Sequence, residues 1–450
     1  MTLHIDTVLS EVDAALENRR FAELKERLCG MEVADLADLL ESVPSAKGLL
    51  LFRLLPKDTA IEVFEMMEGG HREELLAAFS DGEVAELMEN MSDDDRTALF
   101  DEMPAKTVKK LLRLLSPEER TLANRLLDYA DGTAGRVMTP EYVDLRVRMT
   151  VEEAIERIRR LAPSKETIYS CFVVDDTRRL VGVVELEELI LVRAGTPVEE
   201  VMDDAPVSVA TDTDQEEVAR ILSKYDRQAL PVVDRQGLLV GIVTWDDVLD
   251  IVEEEATEDF HRMAGISPTE ESYLETGILA LARKRLTWLL ICIVTETMTS
   301  SVLKGYSDAL ERMVALAFFI PLLIDTGGNA GTQAATLMIR GMTLGEIRKK
   351  DLFRVLSREV VTGLLLGGVL GLIALIRVSF MGLDGGVALT VALALVTVVS
   401  LGNLAGVCLP LIARLFRIDP AVMSGPFITT IVDVIGIMVY FEIAHLILGL

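Results

Sequence analysis

A single carboxylate, Asp433, stands in the middle of GPFITTIVDVIGIMVYF, the apolar run from Gly425 to Phe441. An acid in hydrocarbon is expensive, so one kept there points to a cavity holding water or a cation. A second run, IPLLIDTGGNAGTQAATLMIRG, sets Gly327, Gly328 and Gly331 beside Asn329 and Gln333. The glycines are expected to let a helix open and expose carbonyls, a geometry tolerated at membrane depth only against protein or water. Close packing of small residues is the alternative. A third stretch, DDVLDIVEEEATEDFHRMAG from 246 to 265, crowds Asp250, Glu253, Glu254, Glu255, Glu258 and Asp259 together. Like charges at i, i+4 spacing destabilise a helix, so either a bound divalent cation or solvation must relieve them.

Five apolar segments must position the membrane groups: roughly 286–303, 313–339, 360–381, 387–413 and 426–448. Each is near or above the ~20 residues a spanning helix needs. Arg283, Lys284 and Arg285 precede the first segment; Arg340, Arg348, Lys349, Lys350, Arg354 and Arg358 lie between the second and third; Arg414 and Arg417 lie between the fourth and fifth. The other connections carry only Lys304, Arg312 and Arg377. This asymmetry predicts a multi-pass protein of the cell (inner) membrane with its N-terminus cytoplasmic and its C-terminus outside.

The 450 residues carry a net charge of −28, with mean hydropathy +0.35. Residues from 276 onward hold 11 acids and 14 bases, which leaves 61 acids and 30 bases before them. So acidic a soluble part repels nucleic acid and suits cations. The first 30 residues show no apolar signal segment. Cys29, Cys171, Cys292 and Cys408 are too scattered for a disulfide framework or a thiolate metal site.

Two internal repeats organise the acidic part. From residue 55 a motif recurs every twelve residues, as in LPKDTAIEVF, FSDGEVAELM, MSDDDRTALF and MPAKTVKKLL. Ser92 and Ser116 suit N-caps and Pro56, Pro104 and Pro117 suit first-turn positions, so each copy is expected to be one short helix of a superhelical scaffold. The longer repeat, VEEAIERIRRL…FVVDDTRRLVGVVELEELI (151–190) and QEEVARILSKY…PVVDRQGLLVGIVTWDDVL (215–249), reads helix, strand, turn at an Asp, strand, helix. The PVVD…GLLVGIVTWDDV phrase resembles a CBS domain, and two in tandem resemble a Bateman module, a fold that often senses adenine nucleotides. In that fold Thr244 and Asp247 would hold a ribose. The first copy has Glu185-x-x-Glu188 where Ser or Thr and Asp are usual, so ATP is expected to bind weakly or not at all.

Over nearly all its length the chain resembles the MgtE family of magnesium channels. VMTPEYV (137–143), TDTDQEEVARIL (211–222), EEEATEDFHRM (253–263), GGNAGTQAATLMIRG (327–341) and GPFITTIVDVIG (425–436) carry the resemblance. It implies a multidomain protein: an all-α superhelical N domain (1–130), an α/β tandem CBS module (131–200 and 201–250), an acidic connecting helix (251–282) and an α-helical pore domain of five spans (283–450). It further implies a homodimer in the lipid bilayer whose second and fifth spans line one pore. Asp433 would hold hydrated Mg²⁺ there, with Gly327, Gly328, Asn329, Gly331 and Thr429 lining the path. Mg²⁺ keeps its waters, so one carboxylate per subunit plus carbonyls suffices. Regulatory Mg²⁺ is implied at Glu62, Asp94, Asp214, Glu216, Asp226, Asp246, Asp247, Asp250, Glu255, Glu258, Asp259 and Asp419, clamping the closed state. The family's second acid after Asp94 is Ala98 here. Glu296 and Asp325, two further membrane acids, have no assigned role.

Rival functions fare worse. The histidines His4, His71, His261 and His445 form no HExxH, which excludes that class of metalloprotease, and no GxxxxGK[ST] loop is present. The reading is therefore a transport protein and not an enzyme. A Co²⁺ or Zn²⁺ transporter is the nearest alternative, disfavoured by apolar segments that offer oxygen ligands at Asp433. A non-transporting Mg²⁺ sensor would have no use for the membrane acid.

Overall fold

Most helices of the N-terminal part start twelve residues after the one before. The computed structural model describes residues 5–450 except 68, 269–272, 274, 275, 417 and 424; His4 and Arg417, both read above, lie outside the described residues. The chain divides into two units between Glu253 and Glu254, each described by itself.

In the first unit α1 (Ile5–Glu17) precedes α2 (Phe21–Leu28), α3 (Val33–Glu41), α4 (Ser45–Phe52), α5 (Lys57–Met66), α6 (Gly69–Ala78), α7 (Asp81–Asn90), α8 (Asp93–Glu102), α9 (Ala105–Leu114) and α10 (Pro117–Leu127). The repeat therefore begins at residue 21, well before residue 55. Four helices end on an extended residue, Met67, Met91, Met103 or Leu115, whose side chain is buried, and a new helix begins two residues further on. The buried face of each short helix then feeds one continuous core around Leu36, Leu51, Phe64, Met88 and Leu99. Ser80 and Ser116 accept the N–H three residues on, as N-caps do. Ser92 departs from expectation: its hydroxyl donates to Asp95 Oδ2 at 2.6 Å and makes no cap bond. Pro56 and Pro104 sit at the N-cap and only Pro117 in the first turn.

After α11 (Ala134–Val137) come two three-stranded sheets. In the first, β1 (Asp144–Arg146) runs parallel to β2 (Ser170–Val174), which pairs antiparallel with β3 (Leu180–Glu185); α12 (Val151–Leu161) and α13 (Leu186–Leu191) complete the copy. The second repeats this with β4 (Val209–Ala210), α14 (Gln215–Tyr225), β5 (Ala229–Val233), β6 (Leu239–Thr244) and α15 (Trp245–Met263). Leading strands of two or three residues are too short to show an alternating pattern. The copies join through bridges between Arg179 and Leu238 and between Thr139 and Ile242.

α15 ends at Met263, where Gly265 takes φ +71° and its N–H and that of Ile266 bond back to Arg262 and His261 carbonyls. The connecting helix expected over 251–282 therefore ends at Met263, and the next described helix begins at Ile278. The second unit continues with α16 (Ile278–Gly305), α17 (Ser307–Arg312), α18 (Ile320–Thr343), α19 (Leu352–Phe380), α20 (Gly385–Leu415) and α21 (Gly425–Leu448). Among the described residues five helices are long and apolar enough to cross a membrane: α16, α18 with the turn before it, α19, α20 and α21. Arg283, Lys284 and Arg285 fall inside α16 instead of preceding it.

The expected opening of α18 at its glycines does not occur; the helix is continuous. Gly327, Gly328 and Gly331 are buried packing positions. A Cβ on Gly331 would lie 3.0 Å from the Gly402 carbonyl oxygen, and one on Gly406 would lie 2.1 Å from that of Gly331. Two Gly-x-x-x-Gly pairs, one on α18 and one on α20, let the backbones meet, which is the packing that replaces the hydrophobic effect in lipid.

Candidate functional site

Acids from three separate stretches of the first unit face one another. α8 presents Asp94 and Asp95, the start of α15 presents Asp246, Asp247 and Asp250, and Glu166 lies in the loop before β2; each is near enough to perturb the others. Glu65, with Glu62 beside it on α5, adjoins Asp95. Asp94 Oδ1 is sealed from solvent and has no hydrogen-bond partner. Asp247 Oδ2 accepts the Thr244 hydroxyl at 2.6 Å, and the Ser92 backbone N–H reaches Glu65 Oε1 at 2.9 Å.

Burial, with repulsion from neighbouring acids, holds the carboxyls of Asp94, Asp95, Asp247, Asp250, Glu65 and Glu166 above their usual range. Burial, then Asp247 and Asp95, push Asp94 well up. Burial is the largest cause at Asp247 also, outweighing the Thr244 bond. Burial raises Glu166 to about 7, with Asp247 and Asp246 adding to it, and raises Glu65 to about 7. Such a group binds its proton more tightly folded than unfolded, so stability falls as pH rises from about 4.5 towards about 7. A divalent cation relieves the same repulsion and competes with those protons. Thermal unfolding of the full-length protein should therefore show Mg²⁺ raising the midpoint strongly at pH 8 and weakly at pH 5.5. Equal shifts at both values would contradict this.

Among the described residues no three acids or histidines converge tightly enough to make a preformed metal cage. Of the regulatory residues expected from sequence, Glu62, Asp94, Asp246, Asp247 and Asp250 gather here. Glu65, Asp95 and Glu166, which are not singled out from the sequence, stand with them. Asp95 was signalled by the triplet Asp93-Asp94-Asp95, and it supplies an acid on the helix where Ala98 has none.

Asp214 and Glu216 are not brought to Asp226. Asp214 caps the start of α14, accepting the Glu216 N–H at 3.0 Å, while Asp226 ends the same helix in the left-handed conformation. The helix's eleven residues hold them roughly 16 Å apart.

In the second unit Glu258 and Asp419 both pair with Arg262, and Asp259 lies beside them, its carboxyl raised by burial and by Asp419. Arg262, absent from the sequence reading, supplies the positive charge at this centre. Glu255 lies one turn before Asp259 on α15.

Among the spanning helices, Asp433 is half-buried on α21, which packs against α16, the helix of Glu296, and α18, the helix of Asp325. Thr429, one turn earlier, donates to the Pro426 carbonyl at 2.9 Å and places its methyl against Gly328. α18 exposes Asp325, Asn329, Gln333, Thr336 and Arg340, one polar line at i, i+4 and i, i+3 spacing. Its opposite face buries the glycines and alanines.

A helical repeat, paired CBS sheets and a five-helix apolar bundle with an acid inside define a multi-pass membrane protein with soluble domains. Residues 31–132 match the MgtE intracellular N domain, 134–195 and 198–254 the CBS domain, and 320–443 the family described as divalent cation transporter. The magnesium transporter MgtE of Thermus thermophilus is 41% identical over 440 residues, covering 96% of this chain and 97% of its own. That of Bacillus subtilis is 30% identical, covering 98% and 97%. A crystal structure of the cytosolic domain of the Mg²⁺ channel MgtE in complex with ATP aligns with TM-score 0.51 and 40% identity over 53% of this chain and 98% of that one. This chain belongs to the MgtE family.

Proposed function

We propose that this protein is a homodimeric Mg²⁺ channel that admits Mg²⁺ to the cytoplasm and closes when Mg²⁺ binds its acidic soluble domains. The observation that carries the reading is the polar line on α18. Asp325, Asn329, Gln333 and Thr336 stay uncovered in one chain, on a helix that crosses lipid. Facing lipid they would be costly; facing a second copy across a two-fold axis they line water, with Asp433 of α21 beside them. Oxygen ligands at that depth suit Mg²⁺ over Zn²⁺ or Co²⁺. The soluble acids supply the gate: with cations removed, their repulsion drives the apposed helices apart. Odd span number and the basic connections support soluble domains in the cytoplasm and a C-terminus outside. Uptake into proteoliposomes of Mg²⁺, Co²⁺ and Zn²⁺ in parallel tests the assignment. Mg²⁺ is expected to enter fastest; entry of Zn²⁺ or Co²⁺ without Mg²⁺ would overturn it.

Regulation by ATP is not part of this reading, although a relative's cytosolic domain was crystallised with ATP. Glu185 is engaged by the Ser170 hydroxyl at 2.7 Å and by Arg227, and Glu188 Oε2 accepts the Glu185 N–H at 2.9 Å, while Glu187 is exposed. Three carboxylates at the first-copy position repel phosphates. Calorimetry should show ATP binding weaker than millimolar; a micromolar dissociation constant would contradict it.

A further inference from the structure

A cavity of about 210 Å³ in the first unit has two guanidinium groups in its wall. Its wall includes Arg125 of α10, Pro140 and Tyr142 before β1, Thr177 and Arg178 of the β2–β3 turn, and Leu239 of β6. Among the described residues neither Arg125 nor Arg178 forms an ion pair with a carboxylate. Three acids nearby are engaged elsewhere: Asp144 pairs with Arg157, Asp93 with Arg96, and Asp175 Oδ1 accepts the N–H groups of Thr177 and Arg179; Glu141, between Pro140 and Tyr142, is half-buried and forms no ion pair with either arginine. The Tyr142 hydroxyl accepts from Arg178 Nη2 at 3.2 Å and donates to the Leu239 carbonyl at 3.0 Å, which fixes the guanidinium at the rim.

The two sequence repeats supply an independent observation. Asp175-Asp176-Thr177-Arg178-Arg179 and Asp234-Arg235-Gln236-Gly237-Leu238 make the same turn, each Asp accepting the N–H groups two and four residues on. The fourth position is left-handed in both. The second copy fills it with Gly237 at φ +81°, the first with Arg178 at φ +65°. An L side chain is strained there and glycine is not. Strain retained beside a cavity that the strained side chain lines is a mark of a binding role.

We propose that this cavity binds a small phosphate-bearing anion, its oxygens shared between the Arg125 and Arg178 guanidinium groups. Two planar donors that form no ion pair with a carboxylate match a phosphate better than a monovalent halide. Arg125 belongs to the last repeat helix and Arg178 to the first CBS copy, so the anion would tie the helical domain to the CBS pair.

The substitution Arg178→Gly separates this proposal from a structural role, because it restores the residue the other copy uses. Full-length protein in detergent, free of Mg²⁺, would be followed by thermal unfolding with inorganic phosphate, pyrophosphate or glycerol 3-phosphate, against sodium chloride at matched ionic strength. The wild type should be stabilised by at least one of the three. Arg178→Gly should be no less stable without ligand yet lose the ligand shift, and Arg125→Gln should weaken binding by about tenfold. Stabilisation by glycerol 3-phosphate identifies a phosphate ester as the ligand, and by the inorganic ions alone a free phosphate. An unchanged shift in Arg178→Gly, the same shift with sodium chloride, or none with any of the three in the wild type would overturn the proposal.

Discussion

Asp433→Asn is expected to assemble like the wild type and to pass at least about tenfold less Mg²⁺, since ~1.4 kcal/mol of lost ion stabilisation is already a factor of ten. The amide is nearly isosteric, so the half-buried packing around α21 survives. What disappears is one negative charge per subunit where hydrated Mg²⁺ must shed its bulk surroundings. Size-exclusion chromatography establishes that the oligomer is intact, and flux in liposomes reads the effect. Wild-type flux in an intact Asp433→Asn protein would remove Asp433 from the ion path. Glu296→Gln should reduce flux less, because Glu296 is exposed on α16. Yet α16, which carries Glu296, packs directly against α21. A larger loss in Glu296→Gln would move the path towards α16.

Gly406→Ala is expected to be the most damaging single methyl in the membrane unit. Its Cβ would fall 2.1 Å from the Gly331 carbonyl oxygen and 3.0 Å from the Ala334 side chain. The first obstacle is helix backbone and cannot rotate aside, so α18 and α20 must separate. Overpacking of this kind costs about 1–3 kcal/mol, with the upper end expected where both partners are rigid. Gly368→Ala on α19 is the control, because a Cβ there meets nothing within 4 Å. Thermal unfolding in detergent should show a lowered midpoint for the first variant and an unchanged one for the second. Equal midpoints would mean that these helices slide past one another freely.

Period and hydropathy made the layout readable before any coordinates. Twelve-residue spacing announces short helices whether or not each boundary carries a recognisable cap, and the first copies are harder to read because Arg20 and Glu32 stand at their capping positions. The paired CBS copies were plain from their echoing strands, while β1 and β4 take their stability from pairing with β2 and β5. Glycine chemistry is the clearest miss. A Gly-rich run is compatible with an opened helix or a close crossing, and only Gly402 and Gly406, about 75 residues away on another helix, decide between them. The acidic site divides in the same way. Crowded acids along 246–259 signalled a cation, but the apposition of Glu65, Asp95 and Glu166 arises from tertiary folding, and Arg262 at the second acidic centre looks in sequence like any helix-ending base.

The proposed link between soluble acids and pore is most directly tested by Mg²⁺ flux through the wild type while free Mg²⁺ on the soluble-domain side is stepped from chelated to millimolar. Asp94→Asn combined with Asp247→Asn provides the comparison, since these two acids repel each other within the buried cluster. The account predicts that flux through the wild type falls as Mg²⁺ rises on that side and that the double variant stays open to higher concentrations. Flux that is indifferent to Mg²⁺ on that side, or that falls identically in both proteins, would contradict it.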